Sequence, residues 1–265
     1  MWRLGSRLDG KTVVIVGAAG NLGPVWVRSV LSEGARVIAC GLGTQSDSAL
    51  AELGTTHPEK LSLIDLDIAG LNTSGFEEFV SQLAGGQIDG LVLNAGIDSV
   101  PGTGKSALSD FSFDDWQGLF DVNVFGVVSF LNKAMPYLAN PSSVVTLGSM
   151  YGVVSPKADL YSHFNDGAGS MKNPAYGASK AALLAVTKQY GTYLAPAGVR
   201  VNMLTLGGVA AGQDAEFVSK FENHVPQGRM VPREELPGAL LFLLSDDSLS
   251  MTGHNLVVDG GYTTW

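Results

Sequence analysis

The sequence predicts an α/β fold, a doubly wound parallel sheet of about seven strands with helices on both faces. Three observations predict it. Short apolar, β-branched runs alternate with helical patterns along nearly all 265 residues. The strand ends run into turns of small residues, and the chain carries 34 glycines. The strands read as continuous apolar runs, as strands buried on both faces do, and right-handed crossovers then join them. No repeat, low-complexity tract or linker divides the chain, so residues 1–265 read as one domain.

Residues 12–16 are a β-branched run, hence a buried strand. Gly17-Ala-Ala-Gly20-Asn21-Leu22-Gly23 follows, then a helical pattern over 25–31. Strand, glycine-rich turn and helix together suit a phosphate. Small residues let the backbone approach a pyrophosphate, and a helix N-terminus favours its charge. A tight turn without a ligand would read the same way in isolation. Residues 36–40 form a second strand, ending in Gly41-Leu42-Gly43, where an acid or an Arg would mark a ribose partner and neither stands. A third strand, 61–66, runs into Asp67 and Ile68. After a helix over 76–83, a fourth strand at 90–93 ends in Asn94-Ala95-Gly96, and a loop spans 98–109.

The long helical pattern over 113–138 is interrupted near 121–123. Asn123 lies there between Val122 and Val124, which predicts a buried amide with a hydrogen-bonding task. Residues 144–147 are a fifth strand. The helix over 175–194 is stopped by Pro196 and Gly198. A sixth strand (199–204), helices over 214–224 and 234–244, and a last strand (256–258) complete the pattern.

Net charge is −9 and no basic run occurs, which excludes nucleic acid and an anionic membrane surface as partners. Cys40 is the single cysteine, so no intrachain disulfide forms, which fits a reducing, cytoplasmic setting. No apolar run approaches the ~20 residues of a membrane span. Residues 1–10, with Arg3, Arg7 and Asp9, lack the apolar core of a signal peptide. His57, His163, His224 and His254 are scattered without metal-ligand spacing, so no metal is expected. A G-x-S-x-G element is absent, which argues against an α/β-hydrolase.

The chemistry centres on 144–180. Tyr176 and Lys180, four apart, stack on one helix face. An ammonium beside a phenol stabilises the phenolate and lowers its pKa from about 10, as an acid/base working near neutral pH requires. Ser149 falls just past a strand end, where α/β proteins place their chemistry. The expectation is that Ser149, Tyr176 and Lys180 meet at one carbonyl or alcohol oxygen.

In order and spacing, Gly17-x-x-x-Asn21-x-Gly23, Asn94-Ala95-Gly96, Asn123, Ser149 and Tyr176-x-x-x-Lys180 resemble the motifs of the short-chain dehydrogenase/reductases. Arg200-Val-Asn202 and Asp259-Gly-Gly261 match late motifs, and the resemblance spans about residues 8–265. It implies a Rossmann-type sheet and an NAD(P)-dependent oxidoreductase interconverting a secondary alcohol and a ketone. Gly17, Asn21, Leu22 and Gly23 are then expected at the cofactor pyrophosphate, Asp67 and Ile68 at the adenine, and Asn94, Ala95 and Gly96 along the cofactor's middle. Gly207 and Val209 join them. Tyr176 is expected as general acid/base, with Ser149 fixing the substrate oxygen. Lys180 is expected to bind the nicotinamide ribose and lower the Tyr176 pKa, and Asn123 to hold a water in a proton relay. The implied partners are a small-molecule substrate and further copies of the chain, as a homodimer or homotetramer.

The departures from the family pattern carry information. The middle glycine is Asn21, the Thr that often opens the first motif is Val16, the usual late Pro is Leu206, and Ala210 and Ala211 occupy the region of an expected Thr. Gly20, Gly41 and Leu42 offer nothing basic for a 2′-phosphate, which favours NAD over NADP. Tyr176 lies 27 positions after Ser149, about twice the usual gap. The extra segment, 153–173, contains Tyr161, His163, Asn165, Asp166 and Lys172. Loops of this length are often functional, and this one is expected to overhang the substrate. Tyr151, Tyr161 and His163 are candidate substrate contacts, and the polar content predicts a hydroxylated or charged substrate. With the Gly-Gly-Tyr-Thr-Thr-Trp ending, the insertion is similar to a subgroup found beside surface-sugar and flagellin-glycan biosynthesis genes, which implies a sugar-like substrate. The altered first motif and Leu206 also motivate a non-catalytic nucleotide-binding or scaffold reading. An epimerase or dehydratase with tightly held NAD is a third.

Overall fold

The computed structural model describes residues 6–70, 73–99, 105, 107–164 and 170–265. Seven strands lie in one parallel sheet in the order β3-β2-β1-β4-β5-β6-β7. They are β1 Thr12–Val16, β2 Arg36–Gly41, β3 Leu61–Asp65, β4 Ile88–Leu93, β5 Leu138–Ser149, β6 Val199–Leu206 and β7 Asn255–Val258. Every strand expected from the sequence is present. The largest difference is at β5, which starts six residues earlier than 144, at Leu138.

The pleat sends successive side chains to opposite faces, which is why apolar residues recur without a break in β1. Val13 and Ile15 join one core layer, against Trp26, Val27 and Val30 of α1 (Gly23–Ser32) and Leu240 and Leu241 of α8 (Pro237–Leu244). Val14 and Val16 join the other layer. Phe79 of α3 (Thr73–Leu83), Phe130 and Leu131 of α5 (Val127–Ala134) and Leu183 of α6 (Pro174–Leu194) cover it.

A helix that the sequence reading left out, α2 (Ser48–Thr56), also packs on the first layer. Only Leu50 and Leu53 of it are buried, so its apolar stripe is too thin to stand out. Its signal was Asp47, whose carboxylate caps the helix by accepting from Leu50 N at 2.9 Å. The break expected near 121–123 exists. Between α4 (Phe113–Phe120) and α5, the turns widen to an i→i+5 pattern over Asp121–Gly126, and this presents Asn123 to the interior.

The sheet order reverses at β1, whose neighbours are β2 and β4. The crevice outside the carboxyl ends of such strands is where doubly wound sheets bind ligands. A third apolar cluster, beyond the sheet, joins Tyr151 and Tyr161 to Phe221 of α7 (Ala215–Glu222) and to Tyr262.

Candidate active site

A cavity of about 560 Å³ opens at this crevice. At one end, Gly17 leaves β1 with φ +83°, and a Cβ there would sit 2.5 Å from the Ala95 backbone. Only glycine allows both the turn and the approach. Asn94 ties the turn down: Nδ2 donates to Gly17 O at 2.7 Å, and Oδ1 accepts from Trp26 Nε1 at 2.9 Å. No described residue accepts a hydrogen bond from the amides of Asn21 or Leu22. Free amides at the start of α1, a wall held open by glycine and a cavity of this volume fit a dinucleotide.

Of the residues expected at the cofactor, Gly17, Asn21, Leu22, Asp67, Ile68, Asn94, Ala95, Gly96, Gly207 and Val209 line the cavity. Gly23 does not. A Cβ on it would fall 1.9 Å from Ala18 O, so this glycine lets α1 start against the turn.

At the other end, Ser149 closes β5. Its Oγ accepts from Tyr151 N at 3.2 Å, and the hydroxyl pulls the Tyr176 phenol toward a lower pKa. Tyr176 stands in the first turn of α6, which Asn173 caps by accepting from Ala175 N at 2.9 Å. Lys180, one turn on, is buried. Its Nζ donates to Leu147 O at 3.1 Å and lies 6.0 Å from the Tyr176 ring centroid. Ser149, Tyr176 and Lys180 therefore line one end of the same cavity.

The electrostatics differ from the expectation. The phenol of Tyr176 is pushed up to about 12, first by burial and then by the Asp98 carboxylate, with Ser149 opposing. Lys180 is pushed down to about 8 by burial, with Asp98 opposing. Desolvation outweighs the attraction that the four-residue spacing led us to expect, and drives each group toward its uncharged form.

Asn123 is the buried, hydrogen-bonded amide that its apolar neighbours predicted. It does not line the cavity. Its Oδ1 accepts from Ile97 N at 2.8 Å, and its Nδ2 donates to Ile97 O at 2.9 Å and to Ser179 Oγ at 3.0 Å. These bonds clamp the loop after β4 to α6. The clamp stands directly behind Lys180. A Cβ on Gly96 would lie 3.0 Å from Lys180 Nζ and 3.3 Å from Asn123 Oδ1.

The three candidate substrate contacts do not reach this cavity. The Tyr151 and Tyr161 hydroxyls bond each other at 2.9 Å within the aromatic cluster, where burial pushes both phenols up. Tyr161 lines a separate cavity of about 190 Å³. His163 is tied to α7 through Asp214 Oδ1 at 3.0 Å and Lys220 Nζ at 3.2 Å. The first described part of the insertion pairs Ser162 and His163 with α7 and its cap, whereas Met171 and Lys172 at its end bond the loop after β4. Asn165 and Asp166 lie outside the described residues.

The sequence reading missed Asp98 as a cavity residue. Lys172 Nζ pairs with Asp98 Oδ2 at 2.5 Å, donates to Ser99 O at 3.2 Å and lies 5.3 Å from the Tyr176 ring centroid. An acid two residues past Asn94-Ala95-Gly96, at a strand's carboxyl end, was the available signal. Among the described residues no cluster of three or more His, Cys, Asp or Glu side chains is arranged to hold a metal, and no helix is long and apolar enough to cross a membrane.

Comparison with known proteins agrees with this geometry. A family model described as enoyl-(acyl carrier protein) reductase matches residues 17–263. The 3-oxoacyl-(acyl-carrier-protein) reductase FabG of Thermotoga maritima is 28% identical over 263 residues, 96% of this chain and 98% of that protein. Meso-2,3-butanediol dehydrogenase of Serratia marcescens is 28% identical over 265 residues, 97% of this chain and 96% of that protein. A short-chain dehydrogenase of Leptospira borgpetersenii, solved with bound NAD+, superimposes with a TM-score of 0.81 at 28% identity, covering 99% of this chain and 96% of that one. With the sheet order, the glycine turn and the Ser149–Tyr176–Lys180 wall in place, this match over almost the whole length makes the chain a member of the short-chain dehydrogenase/reductase family.

Proposed function

We propose that this chain is an NAD(P)-dependent oxidoreductase that interconverts a secondary alcohol and a ketone on a polyhydroxylated or sugar-like substrate. The observation that carries the reading is the meeting of Ser149, Tyr176 and buried Lys180 at one end of a cavity whose other end is the glycine turn. When bound, the nicotinamide supplies or takes the hydride. Tyr176 Oη gives a proton to the substrate oxygen in reduction and takes it back in oxidation. Ser149 Oγ holds the same oxygen. Phenolate charge on Tyr176 would face two ammonium groups, Lys172 Nζ and Lys180 Nζ, at 5.3 and 6.0 Å from its ring centroid. Asn123 keeps the loop after β4 in register with Lys180.

At the adenosine end the cavity wall offers Leu42 and the Asp67 carboxylate. Leu42, at the end of β2 where a ribose partner would stand, brings nothing basic for a 2′-phosphate, so NAD is the favoured coenzyme. At the substrate end, the Asp98–Lys172 pair supports a hydroxyl-bearing substrate, because the carboxylate accepts from hydroxyls and the ammonium donates to them. The single sheet supports one catalytic domain over 1–265, with 153–173 as its added segment. A cytoplasmic homodimer or homotetramer, in the surface-sugar subgroup, completes the proposal.

The test is a panel of polyols, sugars and ketones assayed by nicotinamide absorbance with wild type and Tyr176→Phe. Removing a general acid costs about 10²- to 10⁴-fold in rate. Near-normal turnover by the variant contradicts the assigned chemistry, and turnover of bulky apolar ketones alone contradicts the substrate class.

A further inference from the structure

Arg233 stands just before α8, more than two hundred residues from the glycine turn. Its Nη2 donates to Asn21 Oδ1 at 2.6 Å, and its Nε donates to Ala210 O at 3.2 Å. Asn21 belongs to the turn after β1. Ala210 follows Gly207 and Val209, which line the cavity after β6. One side chain therefore ties the turn after β1 to the segment after β6, next to Asn21 and Val209 of the cavity lining but outside that lining itself.

The charge of this guanidinium has no counterion in the described chain. Arg7 pairs with Glu33 and Arg229 with Glu235, whereas the acceptors of Arg233 are both neutral oxygens. Its Nη1 bonds no described residue. Beside it lie the amides of Asn21 and Leu22, which also have no acceptor among the described residues. A guanidinium held by neutral groups, with a free N–H pair, next to free amides at a helix N-terminus, is a donor set for a phosphate.

We propose that Arg233 is a phosphate clamp. Anchored on the glycine turn through Asn21, it would offer Nη1 to the bridging diphosphate of the dinucleotide and tie the segments after β1 and β6 together. The proposal rests on the coenzyme-binding reading above. It gives a physical sense to two departures from the family pattern. Asn21, in place of a glycine, supplies the Oδ1 that anchors the guanidinium. Ala210, where a hydroxyl side chain is absent, supplies its carbonyl, and Arg233 brings donors to that wall. The anchors lie away from Leu42 and Asp67, so the clamp serves the diphosphate common to NADH and NADPH and not a 2′-phosphate.

The experiment measures the affinity of the purified full-length chain for four probes: NADH and NADPH by nicotinamide fluorescence, and ADP and adenosine by calorimetry. Wild type, Arg233→Gln and Arg233→Lys are compared, with melting temperatures as a check on folding. Loss of one charge-assisted contact predicts that Arg233→Gln weakens NADH, NADPH and ADP alike, by about 10- to 100-fold, and leaves adenosine within about 2-fold. Arg233→Lys regains part of the loss, and the salt dependence of wild-type NADH binding shrinks in Arg233→Gln. Unchanged affinity for all four probes overturns the clamp. A loss confined to NADPH overturns it in favour of a 2′-phosphate contact, and an equal loss for adenosine overturns it in favour of a purely structural bridge. Should Arg233→Gln fail to fold, the lysine variant and the wild-type salt dependence decide by the same comparisons. Wild type binding neither coenzyme overturns the oxidoreductase reading itself.

Discussion

At the glycine-turn end of the cavity the walls are mostly backbone. Gly17 turns where no side chain fits, Ala95 passes 2.5 Å from where a Cβ would sit, and Asn94 holds the turn by its own amide. At the Tyr176 end the walls are side chains: Ser149, Tyr176, Lys180 and Asp98, backed by Asn123. Further out, Tyr151, Tyr161 and Tyr262 bury themselves against one another and α7. A backbone wall is constrained residue by residue, so its sequence shows it. A side-chain wall depends on which way each group turns, and residue type alone does not state that.

The largest effect that can break this contrast is at the backbone end. Gly17→Val forces a branched residue to φ +83° and into the Ala95 backbone. The expected cost is about 3 kcal/mol or more, read by chemical denaturation, and coenzyme binding is lost with it. A variant that melts like wild type and binds coenzyme would remove the steric basis of that wall.

At the side-chain end, the buried ammonium gives a pH signature. Lys180 is pushed down to about 8 in the folded protein, below the ordinary lysine value of about 10.5. Between these values the unfolded chain binds more protons, so stability rises with pH. Measured against Lys180→Met, the wild-type protein without coenzyme is expected to gain on the order of 3 kcal/mol from pH 8 to about 10.5. A flat difference would mean that Lys180 is solvated. Above pH 10 the sign reverses for Tyr176, whose raised pKa makes stability fall as pH climbs toward 12.

The outer aromatic cluster gives the smallest effect and sharpens the boundary of the site. Tyr151→Phe leaves the Tyr161 hydroxyl buried without its partner, at a cost of about 1–3 kcal/mol. Tyr151→Phe/Tyr161→Phe costs less than the sum of the single changes, because both orphaned groups are gone. Neither change is expected to alter KM more than about 2-fold if these phenols serve packing. A tenfold rise in KM at unchanged stability would return them to the substrate.

The same contrast sets what the sequence could reveal. All seven strands were legible because each is a β-branched or apolar run, and the break before Asn123 was legible as a polar residue among Val122, Val124 and Phe125. Helix α2 was not, since two buried leucines over nine residues leave little periodicity. Tyr176 and Lys180 were legible through their spacing, but their pKa directions were not, because burial depends on the whole fold. His163 was read as a substrate contact from its place in a polar insertion, and Asp214, fifty-one residues on, takes it instead. Lys172 appeared only as part of that insertion. Its pairing with Asp98 is a contact across seventy-four residues that no local pattern encodes.

The central claim is that Tyr176 moves the proton at the cavity's inner end, and one paired measurement tests it directly. Wild type and Tyr176→Phe are compared for turnover of the best substrate from the polyol, sugar and ketone panel and, in the same preparations, for NADH affinity. The account predicts turnover lower by about 10²- to 10⁴-fold with NADH affinity within about 3-fold of wild type. Turnover near the wild-type rate, with the coenzyme still bound, would contradict it.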